Sequence, residues 1–127
     1  LHVLEGDHGR ALAAIRVFER RTVEDGHTNR IKCSLAAESG DLDAAVGHCR
    51  RSLALEPDVP DTWWELAAVG IRRQDPALVL SALEGLEQRF GMDFDPAELV
   101  RLDAYRWLKG TSEFKRWAVP RRLRHAR

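Results

Sequence analysis

Two short stretches constrain this chain more than its totals do. GDHGRA begins at Gly6 and GDLDAA at Gly40, and both read Gly-Asp-x-x-x-Ala. The step from Gly6 to Gly40 recurs from Gly40 to Gln74, where QDPALV begins. It nearly recurs from Gln74 to Gly110, where GTSEFK begins. A period of about 34 residues marks repeated supersecondary units, each burying its apolar face against its neighbours. The four segments share the chemistry of a break between helices. Gly6, Gly40 and Gly110 suit the left-handed residue that ends a helix. Asp7, Asp41 and Asp75 follow as candidate N-caps, accepting backbone N–H bonds from the next helix. Pro76 sits just after its cap, where a missing N–H costs nothing.

Between the breaks the apolar spacing is helical. Ala11, Leu12, Ile15 and Phe18 form one stripe. Leu42, Ala45, Val46, Cys49, Leu53 and Leu55 form a second, and Leu78, Val79, Leu83, Leu86 and Phe90 a third. Helices are also expected ahead of the breaks, through Trp63, Leu66, Ala67 and Ile71, and through Leu99, Leu102 and Tyr105. DFDPAEL supplies a helix start, with Asp95 as cap, Pro96 opening and Glu98 in the first turn. No stretch alternates as a strand does, so the predicted class is all-α.

These features resemble the tetratricopeptide repeat family, which repeats an antiparallel helix pair at a period of about 34 residues. The stretch 60–93 carries Trp63, Leu66 and Ala67 at the family's first positions. The stretch 26–59 carries Cys33, Gly40, Ala45, Cys49, Ser52 and Pro57. Ala11 and Ala45 match the small residue that lets paired helices approach. Departures are Lys32 in place of Leu, Gly70 in place of Tyr, and Val79 and Lys115 in place of Ala. The resemblance implies an αα-hairpin solenoid, a right-handed superhelix of about three and a half repeats over residues 1–118, followed by a basic tail at 119–127. Only Leu1–Glu5 remain of the first unit's first helix. An apolar edge at Val3, Leu12, Ile15 and Phe18 is therefore expected to meet upstream chain or a second copy in a homodimer.

Charge is divided unevenly. Residues 1–114 hold 14 basic and 20 acidic side chains, whereas 115–127 hold six basic side chains and no acid. A solvated, frayed terminus is the expectation for that tail. Hydrophobic content of 44% with 31% charged residues describes a globular chain. No apolar run approaches the roughly 18 residues of a bilayer span. Two cysteines are too few for a disulfide framework. Cys33 and Cys49 are expected as buried thiols, which favours a reducing compartment such as the cytoplasm. The Arg, Ala and Leu usage is that of a GC-rich bacterial genome.

No residue pattern in the chain points to a catalytic constellation. It has no glycine-rich phosphate loop and no Gly-x-Ser-x-Gly elbow. Its five histidines include no i, i+4 pair for a helical metal site. No enzyme activity, cofactor or metal is therefore expected. In the resembled family the first helix of each pair lines a concave groove. That register places Arg30, Ser34, Ala37 and Glu38 there, then Trp64, Ala68, Ile71 and Arg72, then Val100, Arg101, Ala104 and Trp107. Tryptophan and arginine dominate binding hot spots, so the resemblance implies a module that binds a protein or peptide. The family's Asn and Lys clamp for a terminal carboxylate is not reproduced, because Asn29 and Lys32 fall outside the groove positions. Trp63 is expected in the core. Phe90 and Phe94 are expected to plug the superhelix end, and Trp117 to cap it. A basic patch without a nucleic-acid fold does not make nucleic acid the expected partner. The alternative is a structural or dimerisation segment, or an accessory domain of a larger protein whose catalytic part lies elsewhere.

Overall fold

The computed structural model describes residues 25–126, which are all-helical with no strand among them. Six α-helices run in the order α1 (Gly26–Glu38), α2 (Leu42–Leu55), α3 (Pro60–Arg73), α4 (Pro76–Phe90), α5 (Pro96–Leu99) and α6 (Ser112–His125). A 3-10 helix, Arg106–Gly110, precedes the last. The chain divides into two compact units, with the boundary between Glu65 and Leu66 inside α3. The expectations for Gly6, Asp7, Ala11 and the N-terminal apolar edge lie outside the described residues.

In the first unit Asp25 caps α1 by accepting from the Thr28 N–H at 2.7 Å. The helix ends in a tight wrap of the chain. Gly40 adopts φ 87°, the Asp41 N–H reaches the Ala36 carbonyl at 2.9 Å, and the Gly40 N–H reaches that of Ala37 at 3.1 Å. This pair of bonds satisfies carbonyls that a helix end leaves bare, and the left-handed residue it requires is cheapest as glycine. Asp41 then caps α2, accepting from the Ala44 N–H at 3.2 Å. The hairpin closes over Cys33, Ala45 and Cys49, all fully buried, with Leu35, Ala36, Ala37 and Val46 around them.

One expectation about this core is overturned. Cys33 and Cys49 are not free thiols but a disulfide, with Cα atoms 5.2 Å apart. The cause is the close approach of α1 and α2, which brings the two Cα atoms within bridging range. Neither cysteine's own helical environment reveals this, because the two meet only once the hairpin forms. The free thiols that favoured a reducing compartment are therefore absent from this hairpin. Beside this staple, the buried Ser52 hydroxyl donates to the Gly26 carbonyl at 2.7 Å and lies 3.4 Å from the Thr62 hydroxyl.

In the second unit the turn after α3 repeats the turn after α1. Asp75 N–H bonds the Gly70 carbonyl at 2.9 Å and Gln74 N–H that of Ile71 at 3.1 Å. Asp75 caps α4, accepting from Leu78 N–H at 3.2 Å. Each of these residues stands one full period after its counterpart: Gly70 after Ala36, Ile71 after Ala37, Gln74 after Gly40 and Asp75 after Asp41. Gln74 takes the left-handed role at φ 55°, and its side-chain amide donates to the Ile71 carbonyl. Gly70 lies against α4 so closely that a Cβ there would stand 2.8 Å from Val79 Cγ2. Leu78, Val79, Leu80, Ala82, Leu83 and Leu86 form the buried face of α4.

Past α4 the chain is less regular. The cap at Asp95 and the opening Pro96 form as the sequence predicts, with Asp95 accepting from Ala97 N–H at 3.0 Å. The α-helix nevertheless stops after Leu99. Arg101, Leu102, Tyr105 and Leu108 then donate their N–H groups three residues back rather than four. This winding turns the chain faster than an α-helix does, so the stripe through Leu99, Leu102 and Tyr105 does not form. Leu99 is buried, while Leu102 is 56% exposed. Gly110 also departs from expectation: among the described glycines only Gly40 and Gly91 have positive φ. The break is made instead by Thr111, whose hydroxyl accepts from the Phe114 N–H at 3.2 Å.

The basic stretch at 119–125 is helical rather than a frayed tail, continuing α6 through an internal Pro120. Arg121 is what ties it down. Its guanidinium makes a two-pronged pair with Glu87 of α4, donates to the Trp117 carbonyl at 2.7 Å and stacks 4.1 Å above the Trp117 ring. Both partners of the ion pair are largely buried, at 11% and 13% side-chain exposure. Arg124 and His125 add contacts to Asp93 at 3.6 and 3.1 Å. Phe114 and Trp117 fill the space beneath, with ring centres 5.7 Å apart.

Candidate functional site

In the first unit α1 and the start of α3 share a polar face. Arg30, half-buried, donates from Nη1 to Asp61 Oδ2 at 3.2 Å and lies 2.9 Å from His27 Nδ1. One turn along, the Ser34 hydroxyl donates to Glu65 Oε1 at 3.1 Å. Asp61, Trp64 and Glu65 stand at i, i+3 and i+4 on α3, the spacing that puts side chains on one helix side. Trp64 is 38% exposed there, and Glu38 is exposed at the end of α1. The structure thus brings Arg30, Ser34 and Trp64 to one surface. It adds Asp61 and Glu65, which the repeat register missed because the α1 side chains reach α3 residues 31 positions ahead, short of a full period. Beneath this surface, Gly26, His27, Arg30, Ser52 and Glu56 line a recess of about 90 Å³. The Gly26 N–H donates to Glu56 Oε1 at 3.0 Å. The Thr28 backbone N–H, then the Thr28 hydroxyl, hold the Asp25 carboxyl below its ordinary range; the His27 charge adds a little.

Trp63 is only half-buried, not a core residue; its indole N–H donates to the Pro57 carbonyl at 3.0 Å.

In the second unit the candidate residues separate into two settings. Ala68 and Arg72 are exposed and Ile71 half-buried on the remainder of α3. Arg101, Ala104 and Trp107 do not share a helix, because the α-helix expected to carry them stops at Leu99. Trp107 is held locally, its indole N–H on the Ala104 carbonyl at 2.8 Å. Arg101 pairs with Glu98 at 3.2 Å, and with Arg106, Lys109 and Arg122 it lines a separate recess. Burial pushes the Tyr105 phenol up. A shallow groove of about 440 Å³ runs over Leu80, Trp117 and Pro120, with Glu84, Glu113, Arg116 and Arg121 along it. The Trp117 indole N–H is buried without a partner among the described residues. Phe90 and Phe94 are half-buried.

Among the described residues no three His, Cys, Asp or Glu side chains converge as a metal site would require, and no helix is long and apolar enough to cross a membrane. No protein-family model, curated protein or solved structure matches the chain.

Proposed function

We propose that this chain is a non-enzymatic interaction module that captures a protein or peptide segment on an exposed helix face. The observation that carries the reading is Trp64, 38% exposed beside the Arg30–Asp61 and Ser34–Glu65 bonds. A large aromatic left open to water costs hydration free energy, which a partner recovers by covering it. The flanking Arg30 and Asp61 offer one charge of each sign. The fitting partner has an apolar anchor flanked by polar residues rather than a run of acids. What supports a tetratricopeptide-like array is the pair of turns that use the same hydrogen bonds one repeat period apart. On that reading Ala68, Ile71 and Arg72 of the second unit are partner-facing as well.

The test is panning of a random peptide library against the whole chain. Enriched peptides are expected to carry one aromatic or aliphatic anchor. Trp64→Ala should weaken them at least about tenfold and leave the helical circular dichroism intact. Enrichment that ignores Trp64→Ala, or no enrichment, contradicts the proposal.

A further inference from the structure

The second unit holds a recess of about 490 Å³ lined by Ala97, Val100, Arg101, Arg106, Lys109 and Arg122. Four of the six side chains are cationic and none is acidic. Two of the cations are already balanced: Arg101 by Glu98 at 3.2 Å and Arg106 by Asp103 at 3.0 Å. Lys109 and Arg122 are exposed and make no ion pair among the described residues. Two uncompensated positive charges therefore converge on one concavity. The backbone holds part of this arrangement: the tight winding after α5 places Arg106 so that it donates to the Arg101 carbonyl at 3.3 Å. Mutual repulsion among these groups is a standing cost that an anion relieves, and more so in a concave site, where field lines are focused.

We propose that this recess binds a small soluble phosphate monoester. The charge matches, since such a group carries close to two negative charges at neutral pH. The geometry matches, since guanidinium forks meet phosphate oxygens in pairs while a lysine adds a point charge. The size favours an ester over bare phosphate. The recess falls within the usual span of small-ligand pockets, and an organic body has Val100 and Ala97 to rest on. The site shares no residue with the surface around Trp64 and does not depend on it.

The test is a nuclear magnetic resonance titration of the ¹⁵N-labelled chain at fixed ionic strength, with phenyl phosphate, phenyl sulfate and inorganic phosphate in separate arms. Phenyl phosphate should give saturable shifts at the amides of Val100, Arg101, Arg106, Lys109 and Arg122, with a millimolar or tighter Kd. Phenyl sulfate has the same shape but one charge fewer, and should bind about tenfold more weakly. Lys109→Ala and Arg122→Ala should each weaken phenyl phosphate about tenfold. Both positions are exposed, and an unchanged amide spectrum elsewhere reports an intact fold. Shifts that do not saturate, equal binding of the sulfate, or indifference to both variants overturns the proposal. Inorganic phosphate binding as well as phenyl phosphate overturns the claim that an ester is preferred.

Discussion

The α1–α2 hairpin and the α3–α4 hairpin turn in the same way and fill their cores differently. Both wrap the chain with a left-handed residue, a pair of backbone bonds and an aspartate cap, position for position. In the first, Ala36 and Ala45 are both buried, and Cys33 is bonded to Cys49. In the second, the same positions are Gly70, Val79, Ala67 and Leu83. A small-small pair has become a smallest-large pair, and a covalent staple has become two buried apolar side chains. The lesson is that two turns can be alike bond for bond while the cores beside them are filled by different pairs of residues.

The largest expected effect comes from a feature of the second hairpin that the first lacks. Glu87 holds Arg121 where the register position in the first hairpin is Leu53. Glu87→Leu makes the two hairpins alike at this position and leaves a largely buried guanidinium with only Glu84, at 4.0 Å, as a carboxylate neighbour. Denaturant unfolding should show a loss of about 3 kcal/mol, the scale for breaking one side of a buried pair. A loss below about 0.5 kcal/mol, typical of a neutral surface change, would mean that the Glu87 pair contributes little to holding α6.

The staple is the next contrast. Its cysteines are 16 residues apart, and closing such a loop stabilises by about 3 kcal/mol in the chain-entropy account, somewhat less when native strain intervenes. A reducing agent should lower the unfolding midpoint of the wild type accordingly. The double change Cys33→Ala with Cys49→Leu installs the second hairpin's residues, and should be insensitive to reductant and more stable than the reduced wild type. If reductant leaves the wild-type midpoint unmoved, the staple does not contribute.

What was legible in the sequence was what local chemistry decides. Asp41, Asp75 and Asp95 announce caps, and Gly40 announces a left-handed end, because a cap or turn is read by the residue itself. The all-α class followed from spacing. The disulfide was not legible, because its partners meet only through tertiary approach. The irregular stretch after Leu99 was missed because Leu99, Leu102 and Tyr105 satisfy the helical period on paper. There the backbone closes tighter bonds instead, and Arg106 and Trp107 side chains take the carbonyls of Arg101 and Ala104. The repeat register names Arg30, Ser34 and Trp64, which lie on one face beside Asp61 and Glu65. Their acidic partners were missed because the offset between neighbouring helices is not the period of the repeat. Gly70 and Val79 look unrelated in the sequence, but the fold sets them against each other, so that a Cβ at Gly70 would stand 2.8 Å from Val79 Cγ2.

Whether the small Gly70 and the large Val79 compensate one another is the core of the comparison, and a double-mutant cycle measures it. Gly70→Ala alone should cost about 1–3 kcal/mol, as overpacking does, because the added Cβ meets Val79. Val79→Ala alone should also destabilise, by leaving a cavity. Together they recreate the Ala36–Ala45 pair of the first hairpin, and urea unfolding should show the double variant at least about 1 kcal/mol more stable than the sum of the single losses predicts. If the two losses simply add, the hairpins are not two fillings of one repeated turn, and the account of this fold is wrong.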